Sequence, residues 1–244
     1  MKILVIGESC MDVYQYGKCT RLCPEAPAPV FVSNCKKITN AGMSMNVYNN
    51  LLSLGSKAQI VTNLEWEKIT KIRFVDSATN YILMRVDSND DVKNVHGLSD
   101  INFEEYSAVV ISDYNKGYLT EKDINYISDN HPVTFLDTKK ILGDWCSSVK
   151  FIKINENELE RTKHRLDPEI LDKLIITLGA KGCQHKDKTY PVPLVEMKDA
   201  AGAGDTFVAA LAFKYVETED IIESILFANQ SATKVVQKKG VSIV

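Results

Sequence analysis

The 244-residue sequence lacks an excess of either charge and lacks any long apolar run. Its 29 Lys and Arg residues are balanced by 32 Asp and Glu residues, for a formal net charge of -3, and no basic run stands out. Nucleic acid binds to clustered positive charge, so we expect no nucleic-acid partner. No apolar run approaches the roughly 20 residues that span a bilayer, and the apolar start at Met1–Gly7 is too short for a signal peptide. We therefore expect a cytoplasmic protein without membrane contact.

The sequence also lacks the motifs of two common kinds of site. No Gly-x-x-x-x-Gly-Lys-[Ser/Thr] sequence is present, which disfavours a P-loop nucleotide hydrolase. The six cysteines are scattered through a chain large enough to fold without disulfides, so we expect free thiols. Cys19 and Cys23 stand four apart with no second pair and no histidine nearby, which disfavours a zinc site.

Short apolar strands alternate with helical patterns along the chain, which predicts an α/β fold with a mostly parallel sheet covered by helices. The hydrophobic content of 45% is enough for one substantial core. The predicted strands are Lys2–Ile6, Lys57–Val61, Ala108–Ser112, Val133–Asp137, Phe151–Ile154 and Leu174–Leu178. The predicted helices are Ser44–Leu54, Glu121–Asp129, Glu156–Thr162, Gly204–Val216 and Ile221–Gln237.

Two regions, about residues 13–40 and 69–87, interrupt this alternation. Val30–Ile38, Ile69–Phe74 and Tyr81–Val86 look extended and have no helices between them, which predicts a small antiparallel sheet projecting from the α/β body. Beside a ligand cleft, such a sheet would serve as a lid that keeps water away from an activated phosphoryl group. Alternatively, these strands extend one edge of the main sheet.

The most informative motif is Asp199-Ala-Ala-Gly-Ala-Gly-Asp-Thr-Phe207, a glycine-rich turn directly before an apolar helix. Unpaired backbone N–H groups and the positive end of the helix dipole meet at such a helix start and can bind an anion. Asp205 falls in the first helical turn, where it can accept a proton from a hydroxyl that attacks a phosphorus atom. Alternatively, Asp205 is a capping carboxylate and the glycines form an ordinary tight loop.

This motif resembles the C-terminal signature of the ribokinase and phosphofructokinase-B family of carbohydrate kinases, usually Asp-x-Thr-Gly-Ala-Gly-Asp-[Thr/Ser]-Phe. Other matches occur in the family's order, at Met11–Tyr14, Ala41–Asn46, Asn155–Glu158, Thr177–Gly182 and Ala228–Asn229. The resemblance covers nearly the whole chain. It implies a ribokinase-like three-layer α/β/α sandwich with a projecting β lid, in a single domain over residues 1–244, and it implies ATP and Mg²⁺ as cofactors.

Within the family, four segments look most like the heptose-7-phosphate kinases, which form the kinase half of bifunctional ADP-heptose synthases. They are Arg21–Val30, Thr70–Arg73, Leu83–Asp87 and Ser112–Gly117. The resemblance implies phosphorylation of the anomeric hydroxyl of a heptose 7-phosphate. No nucleotidyltransferase sequence follows Val244, so we expect this polypeptide to carry the kinase activity alone.

The resemblance also implies roles for individual residues. Asp205 would be the general base, and the turn before it would form an anion hole from the backbone of Ala201, Gly202, Ala203 and Gly204. The sugar hydroxyls would bind Asp12, Asn46 and the backbone near Gly42, because a carboxylate and an amide together offer acceptors and donors. Asp12 could instead be a turn residue after the first strand.

On the nucleotide side, Asn155 and Glu158 would position the phosphates and the water shell of Mg²⁺, so that Glu158 contacts the metal through water. The phosphates and ribose would lie against Thr177, Gly179 and Gly182, with Asn229 near the adenine. Two simpler interpretations stay open, in which Asn155 is a helix N-cap and Asn229 is a solvent-facing helical residue.

A sugar phosphate needs a cationic anchor. The candidates are Lys71, Arg73, Arg85, Lys116 and Lys139. Guanidinium groups favour bidentate phosphate contacts, which favours the two arginines, although any of the five could be a solvated surface charge.

Three departures from the family pattern bear on activity. Ala201 replaces the usual threonine of the signature, and Ala41 replaces the first glycine of the usual Gly-Gly pair. The chain between Val61 and Ile69 is also much shorter than the family pattern. These changes motivate two alternatives, a kinase for another sugar or a catalytically weak nucleotide- or sugar-binding protein. Pairing of two lids into a homodimer is a further expectation.

Overall fold

The computed structural model describes residues 1–244 with the exception of the Arg165 side chain. In chain order the elements are β1 (Lys2–Gly7), β2 (Ser9–Leu22), β3 (Pro29–Met43), α1 (Ser44–Ser53), β4 (Lys57–Val61), β5 (Thr70–Asp76), β6 (Ile82–Ser88), β7 (Ala108–Asp113), α2 (Glu121–Asn130), β8 (Thr134–Thr138), β9 (Phe151–Asn155), α3 (Glu156–Thr162), α4 (Pro168–Leu171), β10 (Leu174–Thr177), β11 (Cys183–His185), β12 (Lys188–Tyr190), α5 (Ala203–Thr218) and α6 (Ile221–Val235).

The larger sheet has eight strands in the order β12-β11-β10-β9-β8-β7-β1-β4. The six strands from β10 to β4 run parallel to their neighbours, whereas β11 and β12 add an antiparallel hairpin at the β10 edge. The predicted mostly parallel sheet is therefore confirmed. The hairpin was not predicted, because strands of three residues are too short to show an apolar alternation.

Successive residues of the buried strands point to opposite faces of this sheet and enter two separate cores. On β1, Ile3 and Val5 pack with apolar residues of α1, α5 and α6. Leu4 and Ile6 pack on the other face with residues of α2 and α4. Helices thus cover both faces, which confirms the three-layer α/β/α arrangement.

The second sheet has four strands in the order β3-β2-β5-β6, and we call it the small sheet. It is separate from the larger sheet, so its strands do not extend an edge of the main sheet. The prediction of a purely antiparallel sheet is wrong, because β5 pairs in parallel with β2. Strand β3 is longer than the predicted Val30–Ile38, and β2 was not predicted; the two form an antiparallel hairpin from Ser9 paired with Met43 to Leu22 paired with Pro29.

The connection between β4 and β5 is short. Residues 62–69 hold a single 3-10 turn at Trp66–Lys68 and lead directly from the larger sheet into the small sheet. Among the described residues, no helix is both long enough and apolar enough to cross a membrane.

Candidate active site

The carboxyl ends of the parallel strands meet the start of α5, and the predicted site residues gather there. Ligands of open α/β sheets bind at this edge, because several loops converge on it. Asn155 is the last residue of β9 and Thr177 is the last residue of β10. Asp113, the last residue of β7, leads into the segment that contacts Asp205.

Helix α5 begins at Ala203 after Gly202, whose φ of 81° lies in the left-handed region that glycine tolerates. Asp199 shapes this turn, because its carboxylate accepts hydrogen bonds from the backbone N–H groups of Ala201 at 2.9 Å and Gly240 at 3.1 Å. The predicted turn before an apolar helix is therefore present. Helix α5 is also buried on most sides, as its alanine-rich sequence predicts.

Asp205 lies in the first turn of α5 and is 5% exposed. Its carboxylate accepts a hydrogen bond from Asn46 Nδ2 at 3.0 Å and another from the hydroxyl of Tyr114 at 2.5 Å. The two donors come from α1 and from the segment after β7. Their contacts fix the orientation of the carboxylate at the helix start.

Burial raises the pKa of Asp205 from 3.8 to about 6. The hydrogen bonds from Tyr114 and Asn46 oppose this rise because they stabilise the charged carboxylate. A carboxyl group with a pKa just below neutral is charged at pH 7 and is still basic enough to take a proton. Burial and the charge of Asp205 also raise the pKa of Tyr114, so this tyrosine stays a hydrogen-bond donor.

Lys153 lies beside the start of α5, and our sequence analysis missed it. A side-chain carbon added to Gly204 would lie 2.8 Å from Lys153 Nζ, so the end of the lysine side chain packs directly against this glycine. Lys153 is 4% exposed, and its ammonium donates to Asp137 Oδ2 at 2.8 Å. A buried cation therefore stands next to the predicted anion hole. The available signal was a lysine within the apolar strand before Asn155.

Two further charged residues extend this arrangement, and we call Asp137, Lys139, Lys153 and Glu158 the buried charge network. Lys139 Nζ lies 3.3 Å from Asp137 Oδ1 and 2.6 Å from Glu158 Oε1. Burial opposes the charge on Lys139, but the two carboxylates outweigh it and raise the lysine pKa. Burial likewise opposes the charge on Asp137, and the two lysines outweigh it and lower the Asp137 pKa. Asp137 and Lys139 are therefore both charged near neutral pH.

Asn155 and Glu158 cap helix α3 reciprocally. Asn155 Oδ1 accepts from the Glu158 N–H at 2.9 Å, and Glu158 Oε2 accepts from the Asn155 N–H at 2.8 Å. The N-cap interpretation of Asn155 is therefore correct. One oxygen of Glu158 serves this cap and the other contacts Lys139, so the pair links the cap to the buried charge network.

A cavity of about 430 Å³ adjoins the start of α5 and brings together most residues of the predicted nucleotide site. Its lining includes Asn155, Thr177, Gly179, Gly182, Gly204 and Asn229. Asn229 is buried, and its Nδ2 donates to the carbonyl of Tyr190 at 2.9 Å, so the solvent-facing interpretation of Asn229 is wrong. Glu158 is not part of the lining.

The predicted sugar residues do not line this cavity. Asp12, on β2, is buried and forms an ion pair with Arg73 of β5. Gly42 is needed opposite it, because a side-chain carbon at Gly42 would lie 2.0 Å from Asp12 Oδ2. The side-chain amide of Asn46 donates its hydrogen bond to the Asp205 carboxylate.

The structure separates the five candidate phosphate anchors. Arg73 is paired with Asp12, and Lys139 belongs to the buried charge network. Arg85 is half-exposed and contacts Asp87 at 2.8 Å on its own strand. Lys116 and Lys71 both contact Asp90.

The segment after β7 carries Tyr114, whose contact with Asp205 was not predicted from the sequence. Asn115, next to it, has a φ of 56°. Glu8 is fully buried and accepts from the backbone N–H groups of Tyr114 at 2.7 Å and Lys116 at 3.0 Å. Glu8 therefore holds this segment, and with it the Tyr114 hydroxyl, against Asp205. No sequence spacing signals this contact, since 91 positions separate Tyr114 from Asp205.

The model of the pfkB family of carbohydrate kinases matches residues 119–244, which is more than half of the chain. The chain belongs to the pfkB family of carbohydrate kinases. Membership confirms the resemblance identified from the sequence motifs. Membership in this family indicates a phosphotransferase that acts on a sugar hydroxyl.

Curated relatives of this pfkB kinase include two bifunctional proteins named HldE. The protein from a Nitratiruptor species is 30% identical over 290 aligned positions, and that from Helicobacter pylori (strain J99) is 31% identical over 294. Each alignment covers 98% of this chain but only 62% and 63% of the relative. The alignments are longer than the chain of 244 residues, so the relatives carry stretches that this chain lacks.

Solved structures share the fold. An Arabidopsis thaliana ribokinase complexed with ribose and ATP superposes with a TM-score of 0.72 at 18% identity, over 98% of this chain and 93% of that chain. A Thermotoga maritima ribokinase gives a TM-score of 0.73 at 14% identity, over 98% and 94%. These neighbours confirm a ribokinase-like fold for this pfkB kinase.

Proposed function

We propose that this chain is an ATP-dependent kinase that phosphorylates the anomeric hydroxyl of a heptose 7-phosphate. The observation that carries the proposal is Asp205, a buried carboxylate in the first turn of α5 that accepts from Asn46 and follows Ala203 and Gly204 of the cavity lining. Its pKa of about 6 suits a general base at neutral pH.

In the proposed reaction the anomeric oxygen attacks the terminal phosphorus of ATP. The new bond joins that oxygen to phosphorus, the bond from phosphorus to the bridging oxygen breaks, and ADP leaves with the electron pair. The hydroxyl proton passes to Asp205. Tyr114 and Asn46 orient the carboxylate for this transfer through their hydrogen bonds.

The start of α5 and Lys153 form the proposed anion hole. The backbone of Gly202, Ala203 and Gly204 presents the positive end of the helix to the transferred phosphoryl group. Lys153 adds a full positive charge beside Gly204 and is held in place by Asp137. Because both are fixed before substrate binds, little reorganisation accompanies the transfer.

The cavity is the proposed nucleotide site. It adjoins Gly204, so a nucleotide bound there would direct its terminal phosphate toward the anion hole. The phosphates and ribose would lie along Asn155, Thr177, Gly179 and Gly182, and the adenine would lie near Asn229. The neighbour with bound ATP, which shares the fold, supports ATP as the donor.

Asp137 and Glu158 fit a magnesium ion bound through water. Mg²⁺ prefers oxygen ligands and keeps several waters, and both side chains are buried carboxylates. Across the described residues, no group of three or more His, Cys, Asp or Glu side chains that could hold a metal ion lies together. When bound, the ion would neutralise negative charge on the nucleotide phosphates.

Heptose 7-phosphate is the proposed acceptor on two grounds. The segments at 21–30, 70–73, 83–87 and 112–117 resemble those of heptose-7-phosphate kinases, and the curated relatives are HldE proteins. Asp12 and Asn46 offer an acceptor and a donor for sugar hydroxyls on the acceptor side of Asp205. Since ATP is the donor, we propose that the enzyme works in the cytoplasm.

The small sheet is the proposed lid of a single kinase domain spanning 1–244. It carries Asp12 and Arg73 and so borders the acceptor side of the base. Closing over the substrates would exclude water, which otherwise accepts the phosphoryl group.

We also propose that two lids pair in a homodimer. Strand β6 forms one edge of the small sheet, and Ile82, Leu83, Met84 and Val86 on it are all exposed. An open apolar edge strand can pair with a second copy of itself. Light scattering checks this, and a monomer at micromolar concentration would argue against it.

The general-base role is tested by Asp205→Asn. We expect phosphoryl transfer to fall by at least about 10³-fold, because the variant cannot take up the hydroxyl proton, while nucleotide affinity stays near the wild-type value. The control is Asp187→Asn, which removes the same charge from the exposed β11–β12 turn. ADP release and calorimetric binding of a non-hydrolysable ATP analogue provide the measurements. Retained turnover in Asp205→Asn would exclude the role.

A second candidate is a catalytically weak binding protein. Ala201 removes a hydroxyl beside the proposed anion hole, Ala41 replaces a glycine beside Asp12, and the β4–β5 connection is short. A panel of sugars and sugar phosphates distinguishes the candidates. The fastest ADP release with heptose 7-phosphate would support the proposal. Faster release with another sugar would identify that sugar as the acceptor, and tight binding without ADP release would favour the catalytically weak binding protein.

A further inference from the structure

Two lysines from separate elements converge on one carboxylate at the acceptor side of the site. Lys116 follows β7, Lys71 lies on β5, and Asp90 lies just after β6. Lys116 Nζ contacts Asp90 Oδ2 directly, and Lys71 Nζ lies 3.7 Å from Asp90 Oδ1. The three side chains form what we call the Lys71–Lys116–Asp90 cluster.

The ammonium of Lys71 is poorly satisfied. Lys71 is 9% exposed, yet its nearest carboxylates, on Asp90 and Asp87, stand 3.7 and 3.9 Å away. Both distances exceed that of a hydrogen bond, and in the described part of the chain Lys71 Nζ donates no hydrogen bond. Its Nζ is solvent-accessible and has no acceptor within hydrogen-bond distance, so an anionic ligand can reach it and pair with it.

Asp90 is also incompletely satisfied. Its Oδ1 is buried and accepts no hydrogen bond from any described residue, although the two lysines stand beside it. The carboxylate thus balances part of the positive charge without matching the donors of both lysines. A phosphate group carries more charge and a third acceptor oxygen, which matches two ammonium groups better than one carboxylate does.

The cluster lies on the acceptor side of Asp205. Lys71 is the cross-strand partner of Asp12 in the small sheet. Lys116 lies two residues after Tyr114, whose hydroxyl bonds Asp205. The two lysines therefore flank the place where a sugar held by Asp12 and facing Asp205 would extend.

We propose that Lys71 and Lys116 form a phosphate-binding site for the sugar-phosphate acceptor, and that Asp90 occupies this site until the acceptor displaces it. The inference rests on the proposed function insofar as the acceptor carries a phosphate. The proposal also narrows the candidate phosphate anchors to Lys71 and Lys116, since Arg73 neutralises Asp12 and Arg85 lies half-exposed beside Asp87.

The test uses inorganic phosphate as the probe, on the purified full chain without nucleotide. Asp90→Asn keeps the side-chain shape and removes the competing charge, so phosphate should bind more tightly than to wild type. Lys116→Met removes one ammonium and should weaken phosphate binding by about tenfold, the effect of losing one charge-assisted contact. Calorimetric titration measures both affinities.

Two matched controls locate the effect. Asp91→Asn removes the same charge from the exposed neighbour of Asp90 and should leave phosphate affinity unchanged. Lys153→Met removes a cation from the proposed anion hole. A loss of phosphate affinity in this variant would show that the phosphate binds at the start of α5 instead. Lys116 and Asp90 are partly exposed, and thermal melting verifies that their variants fold.

The proposal is overturned if Asp90→Asn fails to tighten phosphate binding or if Lys116→Met binds phosphate as wild type does. Because these titrations need neither ATP nor turnover, they can succeed even if the kinase proposal fails. A second measurement compares acceptors in the active enzyme. Lys116→Met should raise KM for the sugar phosphate and leave KM for the same sugar without phosphate unchanged, and an equal rise for both would also contradict the proposal.

Discussion

The two sides of Asp205 hold their charges differently. On the nucleotide side, Asp137, Lys153 and Glu158 are each at most 6% exposed, and Lys139, whose side chain is 30% exposed, joins Asp137 to Glu158; the contacts are 2.6–3.3 Å long. On the acceptor side, the side chains of Asp90 and Lys116 are 25% and 31% exposed. Exposed ion pairs contribute little stability, so a substrate can replace them at low cost, whereas a buried network resists rearrangement.

The supporting elements explain this difference. The nucleotide side stands on β8 and β9 of the larger sheet and on α5, which packs against one face of that sheet. The acceptor side stands on the small sheet, whose strand β6 is almost entirely exposed. In the proposed function, the donor would therefore bind to a preformed site, and the acceptor to one that exchanges its internal ion pairs for substrate contacts.

We expect the largest effect from Lys153→Met, which tests whether the nucleotide side depends on its buried cation. Turnover should fall by about 10²–10³-fold, because a preorganised positive charge beside the transferred phosphoryl group is lost. Steady-state kinetics measures kcat, and Lys150→Met, at a position just before the same strand, is the control. A turnover equal to that of the control would mean that the nucleotide side does not depend on its buried cation.

An intermediate effect is expected from Gly42→Ala. The added carbon would lie 2.0 Å from Asp12 Oδ2, so the Asp12 carboxylate must move and KM for the sugar should rise by about tenfold or more. Affinity for the ATP analogue should stay constant, because Gly42 lies on the acceptor side. Gly143→Ala, where the added carbon makes ordinary contacts, is the control. A parallel loss of nucleotide affinity would show that the two sides are not independent.

The smallest effect is expected from Tyr114→Phe and appears in the pH profile. Asp205 must be charged to act as base, so kcat/KM should decline as pH falls through about 6. The Tyr114 hydroxyl stabilises the charged carboxylate, so removing it should raise the Asp205 pKa and move the acidic limb to higher pH. At pH 8 the rate should change only a few-fold. Tyr106→Phe, which removes a surface hydroxyl, is the control, and an unmoved limb in Tyr114→Phe would exclude the contact.

Local patterns predicted most of the larger sheet. The six parallel strands and the helices α1, α2, α3, α5 and α6 agree with their predicted positions to within two residues, because apolar periodicity reports the two faces of each element. The small sheet was predicted less well. Strands β3, β5 and β6 were predicted, but β2 and its parallel pairing with β5 were not, because pairing partners depend on how the chain returns from β4.

The amino-acid sequence by itself determined the glycine-rich start of α5, the place of Asp205 in its first turn, and the family of kinases. These features are local, so short stretches of sequence encode them. Tertiary structure alone decided that Tyr114 bonds Asp205, that Lys153 lies against Gly204, and that Lys71 and Lys116 share Asp90. Each of these contacts joins separate strands or loops, and their charges select partners only after the sheets have brought them together.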